Sequence, residues 1–200
     1  MTLTRRSALA LPALALFPAT ALAAPAPGFS LKDADGRVRT LTEFRGKVVV
    51  LEWINEGCPY VKKHYQGNMQ ALQKAAVADG VVWLSVCSSA PGQQGHVDGA
   101  GAKRFIAAKG AAPTAFLLDP TGVAGKAWGA KTTPHMYIVD KAGKLVYKGG
   151  IDDQASANPA SLKGARNYVA AALADVKAGR PVAEAATRPY GCSVKYGSPG

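Results

Sequence analysis

Residues 47–69 constrain the fold of this chain more than any other stretch, because the sequence changes character abruptly within them. Three valines and a leucine at 48–51 lead into a tryptophan and an isoleucine. A short apolar run rich in β-branched residues predicts a buried strand. Asn-Glu-Gly ends that run, and Cys58-Pro59 follows directly. Since proline is favoured at the first position of a helix, we expect a helix that begins at Pro59 with Cys58 as its N-cap.

The expected position of Cys58 has a chemical consequence. The first N–H groups of a helix have no partner within the helix, and the helix dipole adds a partial positive charge there. Both effects favour a thiolate over a thiol, and Lys62 and Lys63 add positive charge one turn later. We therefore expect Cys58 to be a nucleophile. The alternative is an inert cysteine or one half of a permanent disulfide.

The first 23 residues predict an export signal. Arg5 and Arg6 give it a charged start, an apolar run follows, and Ala-Leu-Ala at 21–23 is a typical cleavage site. That run is too short and too interrupted by proline to suit a membrane span. Residues 4–9 also resemble a twin-arginine signal, with the general secretory route as the alternative. We expect a periplasmic or secreted protein that does not span the membrane once the signal is removed, in a compartment that permits disulfides.

Length and charge limit the remaining possibilities. Two hundred residues suit one domain. We divide the chain into the signal at 1–23, a linker at 24–28, a folded domain at 29–180 and a C-terminal tail at 181–200. The 24 lysines and arginines outnumber the 13 acidic residues, but they are spread singly and no nucleic-acid-binding motif accompanies them. We expect a solvated basic surface and no nucleic-acid partner.

Strand and helix patterns alternate along the chain. Asp35-Gly36 is a hairpin turn signal between two short strands, and a helix is expected from Pro59 to about Ala78 with a kink at Gly67. Further strands are expected at 81–87, 115–119, 135–140 and 144–148, a short helix at 102–108, and a turn or short helix at 125–129.

A final helix is expected to begin at Asn158-Pro159 and to end at Gly179. Strands that alternate with helices, followed by a hairpin and a helix, predict an α/β sandwich around a mixed sheet. Cys58 then lies at the carboxyl end of its strand, where open α/β sheets usually place their sites. Cys87 ends a neighbouring strand, so we expect it near the same edge.

Three cysteines remain after the signal: Cys58, Cys87 and Cys192. An odd number in an exported protein leaves one unpaired, or means that the pairing changes during a reaction cycle. No two of them have the spacing of a zinc-binding pair, so no structural zinc site is predicted. Cys87 is a candidate disulfide partner for Cys58, although a buried apolar cysteine is the interpretation we favour.

These features together resemble the thioredoxin fold: a strand leading to Cys58 at the head of a helix, Thr133-Pro134 before a hairpin strand, and a closing helix. The segments before and after that core are similar to the redoxin branch, which includes AhpC/TSA and TlpA-like proteins. Within it the chain is most similar to a peroxiredoxin-like group with Cys-Pro-Tyr-Val, here at 58–61, and a Gly-Cys-x-x-Lys tail, here at 191–195. The resemblance implies a thioredoxin-like sandwich, with a mixed sheet flanked by helices, an N-terminal hairpin and a redoxin-type insertion.

Two departures from these families affect the expected chemistry. Val61 stands where a thioredoxin has its second cysteine, so a resolving thiol has to come from elsewhere. Asn55 and Leu51 stand where a typical peroxiredoxin has a threonine and a proline before its reactive cysteine. Cys58 is therefore more similar to the nucleophile of a thioredoxin than to a peroxidatic cysteine.

The resemblance implies roles for further residues. Cys192 would resolve the intermediate at Cys58, and the extended tail is long enough to reach it; a structural disulfide that pins the tail is the alternative. Glu52 matches the buried acid that relays protons in thioredoxins, where burial raises the pKa of a carboxyl; an outward-facing glutamate is the alternative. Thr133 and a cis Pro134 would form, with Pro59 and Tyr60, a groove for an extended partner chain; a trans peptide is the alternative.

The leading hypothesis is an exported thiol-disulfide oxidoreductase. Its partners would be protein thiols and disulfides or a peroxide, with an external thiol reductant, and we expect no cofactor and no resident metal. One alternative is a non-catalytic module that binds a peptide or copper, with His135 beside Cys58 and Cys192 as candidate Cu(I) ligands. Against it, single histidines such as His64 and His135 are usually solvated or satisfied. A thiol peroxidase is the other alternative.

Overall fold

The computed structural model describes residues 24–197. The expected export signal and residues 198–200 lie outside that range. Among the described residues, no helix has the length and apolar character needed to cross a membrane.

Residues 24–197 form nine strands and five α-helices. The strands are β1 Ser30–Asp33, β2 Val38–Thr40, β3 Val49–Trp53, β4 Val82–Cys87, β5 Ala115–Leu118, β6 Thr132–Thr133, β7 His135–Val139, β8 Leu145–Gly149 and β9 Cys192–Ser193. The α-helices are α1 Pro59–His64, α2 Asn68–Ala78, α3 Gly99–Lys109, α4 Val123–Trp128 and α5 Tyr168–Lys177. Two short 3-10 helices cover Leu41–Phe44 and Pro159–Leu162.

A mixed seven-stranded sheet lies at the centre of the molecule, in the order β2-β1-β5-β4-β3-β7-β8. Strand β3 is parallel to β4 on one side and antiparallel to β7 on the other. All five of its residues are buried, because packed side chains cover both faces of the sheet. This explains why β3 has an almost continuous apolar sequence instead of alternation. Strands β6 and β9 form a separate two-stranded sheet.

The two faces of the sheet belong to two apolar cores. Val50 of β3 and Ile54, the residue that follows the strand, pack in the core that includes helices α1, α2 and α5. Val49, Leu51 and Trp53 pack in the opposite core. Glu52, whose side chain lies between those of Val50 and Ile54, therefore faces the same layer as the first helix. The arrangement is the mixed α/β sandwich that the sequence predicts.

Most predicted elements are confirmed, and two helix boundaries are wrong. The single helix expected from Pro59 to Ala78 is two helices, because Gly67 takes a φ of 117° and starts α2. Asn158 caps the 3-10 helix and not the final helix. The last helix begins later, at Tyr168, and its N-cap is Asn167, whose side chain accepts a hydrogen bond from the backbone N–H of Ala170.

The tail is more ordered than its sequence suggests. Val182 and Ala185 are buried in the first core, and the backbone N–H of Thr187 donates to the carbonyl of Lys148 on β8. The tail then reaches β6 as strand β9. Residues 24–28 lie against the turn between β7 and β8, where Ala26 N–H donates to the carbonyl of Gly143.

Candidate active site

Cys58 lies where β3 passes into α1. It is the N-cap of α1, with extended backbone angles, and Pro59 is the first helical residue, as the sequence predicts. The side chain of Cys58 has no exposed surface. Its thiol donates a hydrogen bond to the carbonyl of Thr133, with a sulfur–oxygen distance of 3.1 Å.

Asn55 stabilises the turn before Cys58, a role that the sequence pattern does not indicate. Its side-chain oxygen accepts from Gly57 N–H at 2.9 Å, and its amide donates to the backbone and side-chain oxygens of Gln94, both at 3.0 Å. A Cβ at Gly57 would lie 1.9 Å from the Gln94 amide nitrogen, and one at Gly95 would lie 2.0 Å from the Asn55 oxygen. The loop that follows β4 thus packs against the turn before Cys58, and Gly57 and Gly95 provide the room.

The peptide bond between Thr133 and Pro134 is cis, as expected. Just before it, β6 pairs antiparallel with β9, so that Thr133 stands opposite Cys192 and Thr132 opposite Ser193. The same residue, Thr133, therefore contacts Cys58 through its carbonyl and pairs with Cys192 along the strand. The fold brings together two cysteines that are far apart in the sequence.

The two thiols shift each other's pKa in opposite directions. Burial alone would raise the pKa of Cys58, but hydrogen bonds from the Cys192 side chain and the Val61 backbone outweigh it, so the net pKa lies below the usual value. Burial, with the hydrogen bond and charge of Cys58, raises the pKa of Cys192 to about 11. Cys58 is therefore the thiol that ionises first.

Lys62 and Lys63 are not the main influence on the pKa of Cys58. The groups that shift the pKa of Cys58 most are its burial and its hydrogen bonds, not the lysines. Lys63 is 1% exposed, and its amine donates to the backbone oxygen of Gln154 at 2.9 Å and lies 3.9 Å from an oxygen of Asp152.

Glu52 is buried and accepts four hydrogen bonds. The donors are the Tyr65 hydroxyl at 2.9 Å, the Gln73 amide at 3.1 Å, the Trp83 indole at 2.9 Å and the Ser85 hydroxyl at 3.2 Å. Burial raises the pKa of this carboxyl, and the hydrogen bonds partly oppose that increase. Cys58 is not among the four partners of Glu52.

The other candidate residues lie in different surroundings. Cys87 is buried, its thiol donates to the carbonyl of Gly95 at 3.3 Å, and burial raises its pKa. Pro59 is exposed, and the half-buried ring of Tyr60 packs against Tyr190 with ring centres 5.8 Å apart.

His64 and His135, the two histidines considered as candidate ligands or as satisfied side chains, are both buried. His135 is buried, its Nδ1 accepts from the N–H of Lys131 at 3.3 Å, and burial lowers its pKa to about 4. Burial likewise lowers the pKa of His64 to about 3. Between residues 24 and 197, no group of three or more His, Cys, Asp or Glu side chains is arranged to hold a metal ion.

Comparison with known proteins bears on the family and the fold of the chain. Residues 22–148 match the model of the AhpC/TSA family, which is more than half of the chain. No curated protein matches the sequence. Among solved structures, an uncharacterized conserved protein from Geobacillus kaustophilus is 28% identical, with a TM-score of 0.77 over 96% of this chain and 100% of that chain.

Two further structures agree with the fold alone. A hypothetical protein from Sinorhizobium meliloti 1021 is 23% identical, with a TM-score of 0.76 over 90% of this chain and 97% of its own. The thioredoxin domain of a thiol-disulfide oxidoreductase from Bacteroides vulgatus is 22% identical, with a TM-score of 0.51 over 64% of this chain and 88% of its own.

Proposed function

Because this chain belongs to the AhpC/TSA family and has a thioredoxin-like fold, we propose that it is a thiol-disulfide oxidoreductase with Cys58 as nucleophile and Cys192 as resolving cysteine. The observation that carries the proposal is the pairing of β6 with β9. It seats Cys192 opposite Thr133, whose carbonyl accepts the hydrogen bond of the Cys58 thiol.

The cycle begins with the thiolate of Cys58. It attacks one sulfur of a partner disulfide, the sulfur–sulfur bond breaks, and one partner thiolate leaves. Cys192 then attacks the Cys58 sulfur in the mixed disulfide and releases the second partner thiol. Two electrons pass to the partner, and Cys58 and Cys192 are left as a disulfide. An external thiol reductant then reduces that disulfide to two thiols.

The pKa shifts suit this order of events. Burial is the main reason why the pKa of Cys192 is raised, but the hydrogen bond and charge of Cys58 also contribute. In a mixed disulfide Cys58 carries no charge, so those two contributions vanish. Cys192 therefore becomes easier to ionise at the step in which it has to attack.

Other residues take supporting roles in the proposal. Glu52, with its raised pKa, is the group that we assign to proton transfer in this cycle. Thr133, Pro134, Pro59 and Tyr60 line the groove that receives the partner. The expected export signal makes the periplasm or the cell exterior the place of action.

The test is a set of three serine variants of the purified protein. Cys58→Ser should abolish reduction of a small disulfide such as oxidised glutathione. Cys192→Ser should still attack but should accumulate a mixed disulfide at Cys58. Cys87→Ser is the matched control and should behave like the wild type. Non-reducing peptide mass mapping should find a Cys58–Cys192 disulfide that mild reductant breaks; a Cys58 thiol that neither oxidised glutathione nor peroxide alters would refute the proposal.

A peroxide is the second candidate substrate, because the Cys58 side chain has no exposed surface and a peroxide is small. The thiolate of Cys58 would attack one peroxide oxygen, release water or an alcohol and become a sulfenate. Cys192 would then form the disulfide with loss of water. Rapid mixing of the reduced protein with hydrogen peroxide distinguishes the two substrates by the rate at which the Cys58 thiol disappears.

A further inference from the structure

A buried polar cluster lies beside the site and has no part in the cycle above. Lys63 and His64 of α1 are 1% and 0% exposed, and Asp152 is 2% exposed. The Lys63 amine and the His64 imidazole lie 3.9 and 4.0 Å from the same oxygen of Asp152, and within the described residues that oxygen has no hydrogen-bond partner.

The tail closes this cluster with the hydroxyl of Tyr190. That hydroxyl donates to the other oxygen of Asp152, and it lies 3.0 Å from the Nε2 of His64 and 3.3 Å from the Lys63 amine. The Lys63 amine also lies 5.2 Å from the centre of the Tyr190 ring. Tyr190 therefore meets three buried polar side chains with one hydroxyl.

Tyr190 stands two residues before Cys192, and the chain between them has little freedom. Gly191 has a φ of 132°, and a Cβ there would lie 2.0 Å from the Thr133 carbonyl oxygen. Beyond Cys192, the N–H of Val194 donates to the carbonyl of Lys131 at 3.0 Å. Cys192 thus lies between two backbone contacts, one on each side, that restrict its movement.

We propose that Tyr190 is the positioning residue for Cys192, and that its contact with Lys63, His64 and Asp152 is a latch that keeps the tail over Cys58. This inference rests on the proposed function, because it assigns Tyr190 a role only if Cys192 resolves Cys58. The latch acts by raising the effective concentration of Cys192 at Cys58, as a linker of matched length does for a second binding site.

The polar nature of the cluster explains how such a latch can open. Burying charged groups costs hydration free energy that offsets much of their mutual attraction, so a buried ion pair contributes little net stability. When the tail lifts, the charges of Lys63 and Asp152 regain water. An apolar anchor would hold the tail more firmly, and Cys58 would then stay inaccessible to any bulky partner.

Removal of the Tyr190 hydroxyl should therefore weaken the Cys58–Cys192 disulfide and make the Cys58 thiol more accessible. In a buffer of reduced and oxidised glutathione, Tyr190→Phe should lower the equilibrium constant for the Cys58–Cys192 disulfide about 10-fold, which is about 30 mV for this two-electron couple. In a Cys192→Ser background, the same change should raise the rate at which a bulky maleimide labels Cys58 about 10-fold. Tyr168→Phe, on α5, is the matched control and should change neither quantity.

Maleimide labelling of Cys87 distinguishes a lifted tail from general loosening of the fold. Cys87 is buried and its thiol donates to Gly95, away from the latch, so its labelling reports general unfolding. If Tyr190→Phe exposes Cys58 and leaves Cys87 protected, the latch is supported. If both cysteines become labelled together, or if the disulfide constant and the Cys58 labelling match the wild type, the inference is wrong. If the wild type itself forms no Cys58–Cys192 disulfide in the glutathione buffer, the proposed function fails instead.

Discussion

Replacement of Glu52 tests two separate roles of one buried carboxyl. Four donors converge on it, and two of them, the Trp83 indole and the Gln73 amide, cannot reverse their direction. Glu52→Ala leaves the Trp83 indole without its acceptor, and it leaves the Gln73 amide with one N–H bonded to the Tyr65 hydroxyl and the other unpaired. Each buried donor that loses its partner costs about 1–3 kcal/mol, so we expect Glu52→Ala to lower the free energy of unfolding by about 2–6 kcal/mol.

Glu52→Gln is the matched variant. Its one amide oxygen can accept from Trp83 and Gln73, and its NH₂ group can donate to the Tyr65 oxygen once that hydroxyl rotates. Above the carboxyl's folded-state pKa the glutamine also avoids the cost of a buried charge. Because burial raises the pKa of Glu52 above its unfolded value, the stability linked to this group is complete at low pH and is lost as the pH rises through the folded-state value. Glu52→Gln should remove that pH dependence and should be at least as stable as the wild type at pH 8.

Urea unfolding at pH 5 and pH 8 measures the stability of both variants and its pH dependence. Steady-state reduction of oxidised glutathione measures the role of Glu52 in proton transfer. If Glu52 handles protons, Glu52→Gln should be stable but slower, by about 10²- to 10⁴-fold where proton transfer limits the rate. A Glu52→Gln variant with wild-type turnover at every pH would refute the catalytic role. A Glu52→Ala variant as stable as Glu52→Gln would refute the reasoning on the unpaired donors.

Two further predictions concern the tail. Cys192→Ala should raise the pKa of Cys58, measured from the pH dependence of its alkylation, because the Cys192 side chain supplies the strongest hydrogen bond that lowers it; Cys192→Ser keeps a donor and should shift it less. Gly191→Ala should slow formation of the Cys58–Cys192 disulfide at least 10-fold, because its Cβ would meet the Thr133 backbone, whereas Gly197→Ala, with its nearest contact at 3.4 Å, should not. An equal Cys58 pKa in both Cys192 variants would contradict the first expectation. Equal rates of Cys58–Cys192 disulfide formation in both glycine variants would contradict the second.

The sheet and the position of Cys58 were predictable because their signals are local. An apolar β-branched run, a turn and a proline follow one another within residues 47–69, and each fixes the next few residues. The helix boundaries were harder, because Gly67 and Asn158 each fit more than one local structure. A glycine inside a helical pattern allows a kink, and only packing decides that the chain breaks into α1 and α2 there.

The surroundings of Cys58 were not predictable, because they depend on contacts between distant residues. Lys63 has the sequence context of a solvated helix residue, and its contacts with Asp152, Gln154 and Tyr190 compensate for its burial. Asn55 was identified as a departure from the peroxiredoxin pattern. Its bonds to Gln94 show that it has a different task, which no local pattern indicates.

The seating of the tail links the structure to the choice of substrate. Cys58 has no exposed surface while β9 occupies the edge of β6. Under the proposed function, a polypeptide disulfide therefore reaches Cys58 only after the tail lifts. A small disulfide or a peroxide needs a much smaller opening. Because the same contacts that hide Cys58 also hold Cys192 ready, a tail that opens rarely favours fast resolution and small substrates, and a tail that opens often favours protein partners. If Cys58 and Cys192 act as proposed, the balance between these two substrate classes is therefore set by the interactions of the tail and not by the reactivity of Cys58 alone.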